Sequence, residues 1–234
     1  MSFFESRGLI QISPCSGAKT GISSISASFN EIEREHSGLL KSFFELRKRT
    51  FIDNLGWELP SEDQMERDQY DNPTARYCFV LANDELLAGA RLHHVSAFHD
   101  GWRTLALDAS KGLLPGIPRD ILKDVKLNEY SWECTRFVVS RLETPVARKV
   151  LLGLVDQTIS CVRELGGESI ISLSPPSMRR LLMSFDLQCE MSPETLNFQN
   201  DTREYRVLTT AVPSSKELRG LTGAHSPARA IKGF

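Results

Sequence analysis

Trp132-Glu133-Cys134-Thr135-Arg136-Phe137-Val138-Val139 is an apolar run into which a glutamate and an arginine have been set. β-branched and aromatic residues suit a pleated, half-buried surface, so the run reads as the middle of a strand over 129–140. Side chains alternate along a strand. Glu133 and Arg136 are three apart, so a regular strand sends them to opposite faces. They act on one substrate only where the strand bulges or splays, and a bulge is expected near 134–136. A carboxylate in a partly dry site has a raised pKa and serves as a base. The plainer reading is a structural Glu–Arg ion pair.

On the C-terminal side, Pro145 opens a helix to about 165, with Val146, Val150, Leu154 and Ile159 on its buried face. Gly166-Gly167 end it, and a short buried strand follows over 169–173. Ser174 then caps, and Pro175 starts, a helix to about 185. Residues 203–209 alternate as a half-exposed strand.

On the N-terminal side, strands over 76–82 and 86–95 are joined as a hairpin at Asn83-Asp84. Residues 58–74 and 96–127 read as irregular. A helix over 32–53 carries Ile32, Leu39, Leu40, Phe43, Leu46 and Phe51 at helical spacing. Asn30 and Glu33 suggest its capping box, and Gly56 its exit. The order of elements predicts an α/β fold: a single mixed, twisted sheet covered by helices as an α-β-α sandwich. Residues 1–28 are expected to be a flexible extension, 29–212 the domain, and 213–234 a flexible tail.

The chain has 234 residues, 41% of them hydrophobic, enough for one sizeable core. A net charge of -2 provides no global field for nucleic acid, and no such partner is expected. No run approaches the length of a membrane span, so no membrane association is expected and a cytoplasmic location is. Cys15, Cys78, Cys134, Cys161 and Cys189 lack CxxC spacing and read as small apolar residues. His93 and His94 lack HExxH spacing, so no metal is expected.

Three carboxylates fall within Glu66-Arg67-Asp68-Gln69-Tyr70-Asp71. Taken alone the hexapeptide is a solvated acidic loop. Arg47 and Phe51, four apart on one helix face, and Trp57 just beyond make a pocket for a cationic ligand the competing reading. Arg91, among strand residues after Gly89, needs a carboxylate partner if it is buried.

These pieces together resemble the LuxI-type acyl-homoserine lactone synthases, the autoinducer synthase family. That family's pattern has Arg, Phe and Trp, then Glu-x-Asp-x-x-Asp, Gly-x-Arg, and Glu-x-Ser/Thr-Arg-Phe. Here they stand as Arg47, Phe51 and Trp57; Glu66, Asp68 and Asp71; Gly89 and Arg91; Glu133, Thr135, Arg136 and Phe137. The resemblance covers about residues 30–210. The chain departs from it at Leu92-His93-His94-Val95-Ser96, where members often have Leu-Leu-Pro-Thr-Thr, and over 97–127.

The resemblance implies a fold like that of the N-acetyltransferases and two substrates, S-adenosylmethionine and an acyl thioester, with no permanently bound cofactor. The acyl group passes to the methionine amine and the product closes to a lactone, releasing methylthioadenosine. Glu133 is then the base, and Arg136 aims the methionine carboxylate. Arg47, Phe51, Trp57, Glu66, Asp68, Asp71, Arg91 and Thr135 make up the S-adenosylmethionine side. Phe137, Ile171, Ser172 and Leu173 make up the acyl side. N-acetyltransferases hold a CoA pyrophosphate on a glycine-rich loop, but 141–149 contains no glycine. This favours an acyl carrier protein over acyl-CoA as donor, with Arg148, Lys149, Arg179 and Arg180 available to an acidic partner. The rival functions are a generic CoA-dependent N-acyltransferase and a non-catalytic ligand-binding relative.

Overall fold

The computed structural model describes residues 13–14, 21–96, 102–198 and 201–214. In chain order the strands and helices are β1 (Ser13–Pro14), β2 (Ile22–Ser28), α1 (Phe29–Glu35), α2 (Ser37–Arg47), β3 (Ser61–Glu62), β4 (Met65–Glu66), β5 (Arg76–Ala82), β6 (Glu85–His94), α3 (Leu105–Ser110), β7 (Ser131–Val139), α4 (Thr144–Glu164), β8 (Ser169–Ser174), α5 (Pro176–Met183), β9 (Cys189–Met191), β10 (Leu196–Asn197) and β11 (Glu204–Ala211). One mixed sheet runs β1-β2-β5-β6-β7-β8-β11, with β9 and β10 on the far side of β11. Among the described residues only β7 and β8 pair in parallel, joined through α4. The expected α/β sandwich is therefore present, with more strands than the sequence disclosed.

Alternation along β5 divides the core. Cys78 and Val80 pack with Val150 and Leu154 of α4 on one face. Tyr77 and Phe79 pack with Phe43 of α2 on the other. Gly89 sits where a Cβ would come within 2.7 Å of the Phe43 ring, so the glycine lets α2 close onto the sheet. Asn83 and Asp84 both have positive φ, 49° and 65°, as a two-residue hairpin turn requires.

Several expectations need correcting. Residues 22–28, assigned to a flexible extension, form β2, which pairs with β5 from Ile22–Ala82 to Ser28–Arg76. Their alternating small and apolar side chains were masked by serines. Ser13–Pro14 of that extension form β1, paired with β2, while residues 1–12 and 15–20, Cys15 among them, and the tail beyond Ser214 lie outside the described residues. The capping box is Ser28 with Glu31, not Asn30 with Glu33. The long helix breaks at His36 and ends in a wide π turn, Lys48–Asn54. Pro175, not Ser174, occupies the N-cap position of α5. His93 and His94 lie in β6, inside the strand expected over 86–95. Within the expected irregular segments, β3–β4 and α3 are ordered pieces, and the last strand extends to Ala211. Cys78, Cys134, Cys161 and Cys189 are free and buried.

Candidate active site

The anticipated bulge lies in β7. Gly89 pairs with Val138 and Arg91 with Thr135, so two steps along β6 face three along β7. Arg136 takes the extra place with φ +54°, a region sparsely used by residues other than glycine. This lets Arg136 join the charged groups that Thr135 already touches. Pairing of β7 with β8 ends at Glu133–Ile171. Beyond that point the two strands part and line a cavity of about 1280 Å³.

Arg47, Arg91 and Arg136 interleave with Glu66, Asp68 and Asp71. Arg47 Nε donates to Glu66 at 2.5 Å and its guanidinium to Asp71 at 2.7 Å. Arg91 donates to Asp68 at 2.6 Å and to Thr135 at 3.1 Å, and lies 2.8 Å from Asp71. Arg136 donates to Glu66 at 3.0 Å and to Asp68 at 2.8 Å. Tyr77 donates to Asp71 at 2.8 Å. Three cations thus balance three anions, which makes their burial tolerable. Burial, the largest influence on Asp71, works to raise its pKa. Arg91 and Arg47 outweigh it and hold the carboxyl well below its usual range.

Only part of this network meets the cavity. Arg136 and Asp68, with side chains 9% and 5% exposed, line it together with Phe51, Trp57, Glu133, Thr135, Phe137, Ile171, Ser172 and Leu173. Arg47, Glu66, Asp71 and Arg91 have fully buried side chains and stand one layer behind, holding the lining residues in place. Phe51 stacks on Trp57 with centroids 5.0 Å apart and lies beneath the Arg136 guanidinium at 5.4 Å. The π turn at the end of α2 carries Phe51 to this position.

Sequence reasoning missed the other half of the aromatic wall. Phe198 and Tyr205 pack on Trp57 at 4.5 and 5.6 Å. Asp201 accepts hydrogen bonds from the Trp57 indole at 3.1 Å, the Tyr205 hydroxyl at 2.6 Å and Arg203. The spacing Asp201-x-Arg203-x-Tyr205 was the available signal: a polar–aromatic alternation leading into a strand.

Glu133 is 2% exposed. Its carboxylate accepts the backbone N–H groups of Leu105 at 3.2 Å and Ala106 at 2.5 Å, the first two residues of α3. Burial pushes its pKa up to about 7, against the opposing pull of those hydrogen bonds and of Arg91. His93, its partner across the ladder, is pulled down to about 3 by burial and then by Arg91.

These two groups give stability a distinctive pH dependence. The Glu133 contribution is fully present below its ordinary value of 4.5 and is lost as pH rises through about 7. The His93 contribution is present above 6.5 and is lost as pH falls toward about 3. Between 4.5 and 6.5 the two slopes oppose each other, so the melting temperature should be nearly flat there. Glu133→Gln should leave the His93 slope uncompensated, and stability should then climb by roughly 2–3 kcal/mol across that window. Thermal melts of both proteins over pH 4.5–7 check this; identical profiles would contradict it.

A profile of the family described as autoinducer synthase matches residues 30–99. An acyl-homoserine-lactone synthase of Acinetobacter nosocomialis is 28% identical over 153 residues, covering 62% of this chain and 78% of that protein. One from Pantoea stewartii subsp. stewartii is 26% identical over 137 residues, covering 55% of this chain and 58% of the relative. Among solved structures, the AHL synthase LasI superposes with a TM-score of 0.69 at 13% identity, covering 91% of this chain and all of that one. BjaI, described as a CoA-dependent acyl-homoserine lactone synthase with SAM and isopentyl-CoA, gives 0.66 at 15% identity, with 85% and 87% covered. These two superpositions establish the shared fold. No helix among the described residues is long and apolar enough to cross a membrane.

Proposed function

We propose that this chain is a member of the autoinducer synthase family, whose model matches residues 30–99, and is an acyl-homoserine lactone synthase. It transfers an acyl group from a carrier protein or CoA thioester to the amine of S-adenosylmethionine and closes the product to a lactone, releasing methylthioadenosine. The reading rests above all on the convergence of Asp68, Arg136, Phe51, Trp57 and Glu133 on one cavity. S-adenosylmethionine carries an ammonium, a carboxylate, a sulfonium and an adenine. Asp68 suits the ammonium and Arg136 the carboxylate. The faces of Phe51 and Trp57 suit the sulfonium and adenosine.

The ammonium must lose a proton before it attacks the thioester carbonyl. Glu133, with its pKa raised to about 7, takes that proton directly or through one water. The amine nitrogen then bonds to the carbonyl carbon and the thiolate leaves. In the second step the methionine carboxylate displaces the thioether sulfur from its own γ-carbon. A sulfonium is a good leaving group, so alignment of the carboxylate by Arg136 supplies what the step needs. The acyl chain occupies the opening between β7 and β8, whose walls include Phe137, Ile171, Ser172, Leu173, Val155 and Leu182. This chemistry calls for metabolites of the cytoplasm, where the reading places the protein.

Expression in a bacterium with an ordinary fatty-acid pool tests the proposal, using mass spectrometry of the extracted medium for the homoserine lactone fragment. The expected result is a lactone whose yield falls about 10²-fold or more in cells carrying Glu133→Gln. A simple amide with free CoA would point to a generic N-acyltransferase, and S-adenosylmethionine bound but never consumed to a non-catalytic relative.

A further inference from the structure

α3 is a short helix, yet two buried acidic side chains tie it to the site from opposite directions. Glu133 of β7 accepts the N–H groups of Leu105 and Ala106 at its N-terminus. One turn further, Asp108 has no exposed surface and accepts the Tyr70 hydroxyl at 2.6 Å. Arg103, half exposed, donates to the same carboxylate at 2.8 Å and offsets the cost of burying it. The Tyr70 phenol is held neutral, its pKa raised by burial and by the Asp108 hydrogen bond. The Tyr70 ring lies 5.6 Å from the Arg91 guanidinium carbon, and Arg91 in turn holds Asp68. A continuous path thus runs from Asp108 through Tyr70 and Arg91 to Asp68, while the same helix holds Glu133.

We propose that Asp108 is a positioning residue: through the Tyr70 hydroxyl it fixes α3 against the Arg91–Asp68 pair and so sets where the Glu133 carboxylate stands relative to the substrate amine. The substrate amine enters from the function proposed above; the clasp itself, in which Asp108 and Tyr70 hold α3 and Glu133 against the Arg91–Asp68 pair, does not depend on it. Asp108 touches no cavity surface. Its influence passes through the hydroxyl of Tyr70, which does line the cavity.

The test uses Tyr70→Phe, Asp108→Leu and the double variant in the full chain, with two readouts. Amide hydrogen exchange at Leu105 and Ala106 reports how firmly α3 is held, independently of any activity. It should quicken about tenfold in each variant while exchange in β7 stays unchanged. The second readout is turnover at saturating substrates, expected to fall about tenfold in either single variant and no further in the double. S-adenosylmethionine affinity should stay within about twofold, a split that general loss of structure would not produce. Unchanged exchange in Tyr70→Phe, losses that multiply in the double variant, or affinity falling in step with rate would each overturn the proposal. A wild-type protein that yields no lactone while the exchange response is present would instead overturn the proposed function and leave the clasp standing.

Discussion

Glu133→Gln is expected to lower kcat by about 10²–10⁴-fold, the range over which a positioned base accelerates a proton transfer. The amide keeps the shape of the carboxylate and still accepts a backbone N–H from α3, so S-adenosylmethionine should bind within about threefold of wild type. The loss would then appear in kcat rather than in binding, which marks an interaction made during the reaction. Release of methylthioadenosine, followed at saturating acyl thioester, measures it. In the wild type, kcat/KM should rise with pH through a midpoint near 7, where the buried carboxyl titrates. That limb should be missing from the residual activity of the variant. Wild-type turnover by Glu133→Gln across pH would remove the base from its role.

Arg47→Met is expected to have the largest effect on stability. The side chain is fully buried and touches Glu66, Asp68 and Asp71 at 2.5, 3.7 and 2.7 Å. Its removal leaves three carboxylates facing two guanidinium groups in a dry layer. Breaking such an arrangement costs about 3–5 kcal/mol. For a domain of this size that is roughly a 6–20 °C fall in melting temperature. Charge imbalance, rather than lost packing, should cause most of the fall. Arg47→Met combined with Asp71→Asn restores the balance and should recover part of the lost stability. Scanning calorimetry of the two variants separates these causes: a double variant less stable than Arg47→Met would show that the individual hydrogen bonds of Asp71 outweigh neutrality.

The sequence disclosed the site more fully than it disclosed the sheet. Arg91, set among strand residues, is costly to bury without a carboxylate partner, and the resemblance to the lactone synthases grouped Arg47, Glu66, Asp68 and Asp71 with it. The misfit between Glu133 and Arg136 announced the bulge that φ +54° at Arg136 records. By contrast, β2 is written in Ile-Ser-Ser-Ile-Ser-Ala-Ser, whose small polar residues look like linker until β5 pairs with them. β9 and β10 have three and two residues, too short for any period to register. Asp108 and Tyr70 are 38 positions apart, and Trp57 and Asp201 are 144 apart. No local spacing links the members of either pair, because the fold alone brings their elements together.

Convergence of the charged and aromatic groups on a single S-adenosylmethionine is tested most directly by calorimetric titration of that ligand into the purified protein, wild type beside Asp68→Asn. The expected result is one site per chain in the wild type and affinity at least about tenfold weaker in the variant, as for a charged hydrogen bond worth 1.5–3 kcal/mol. No heat of binding in the wild type, or equal affinity in both, would contradict it.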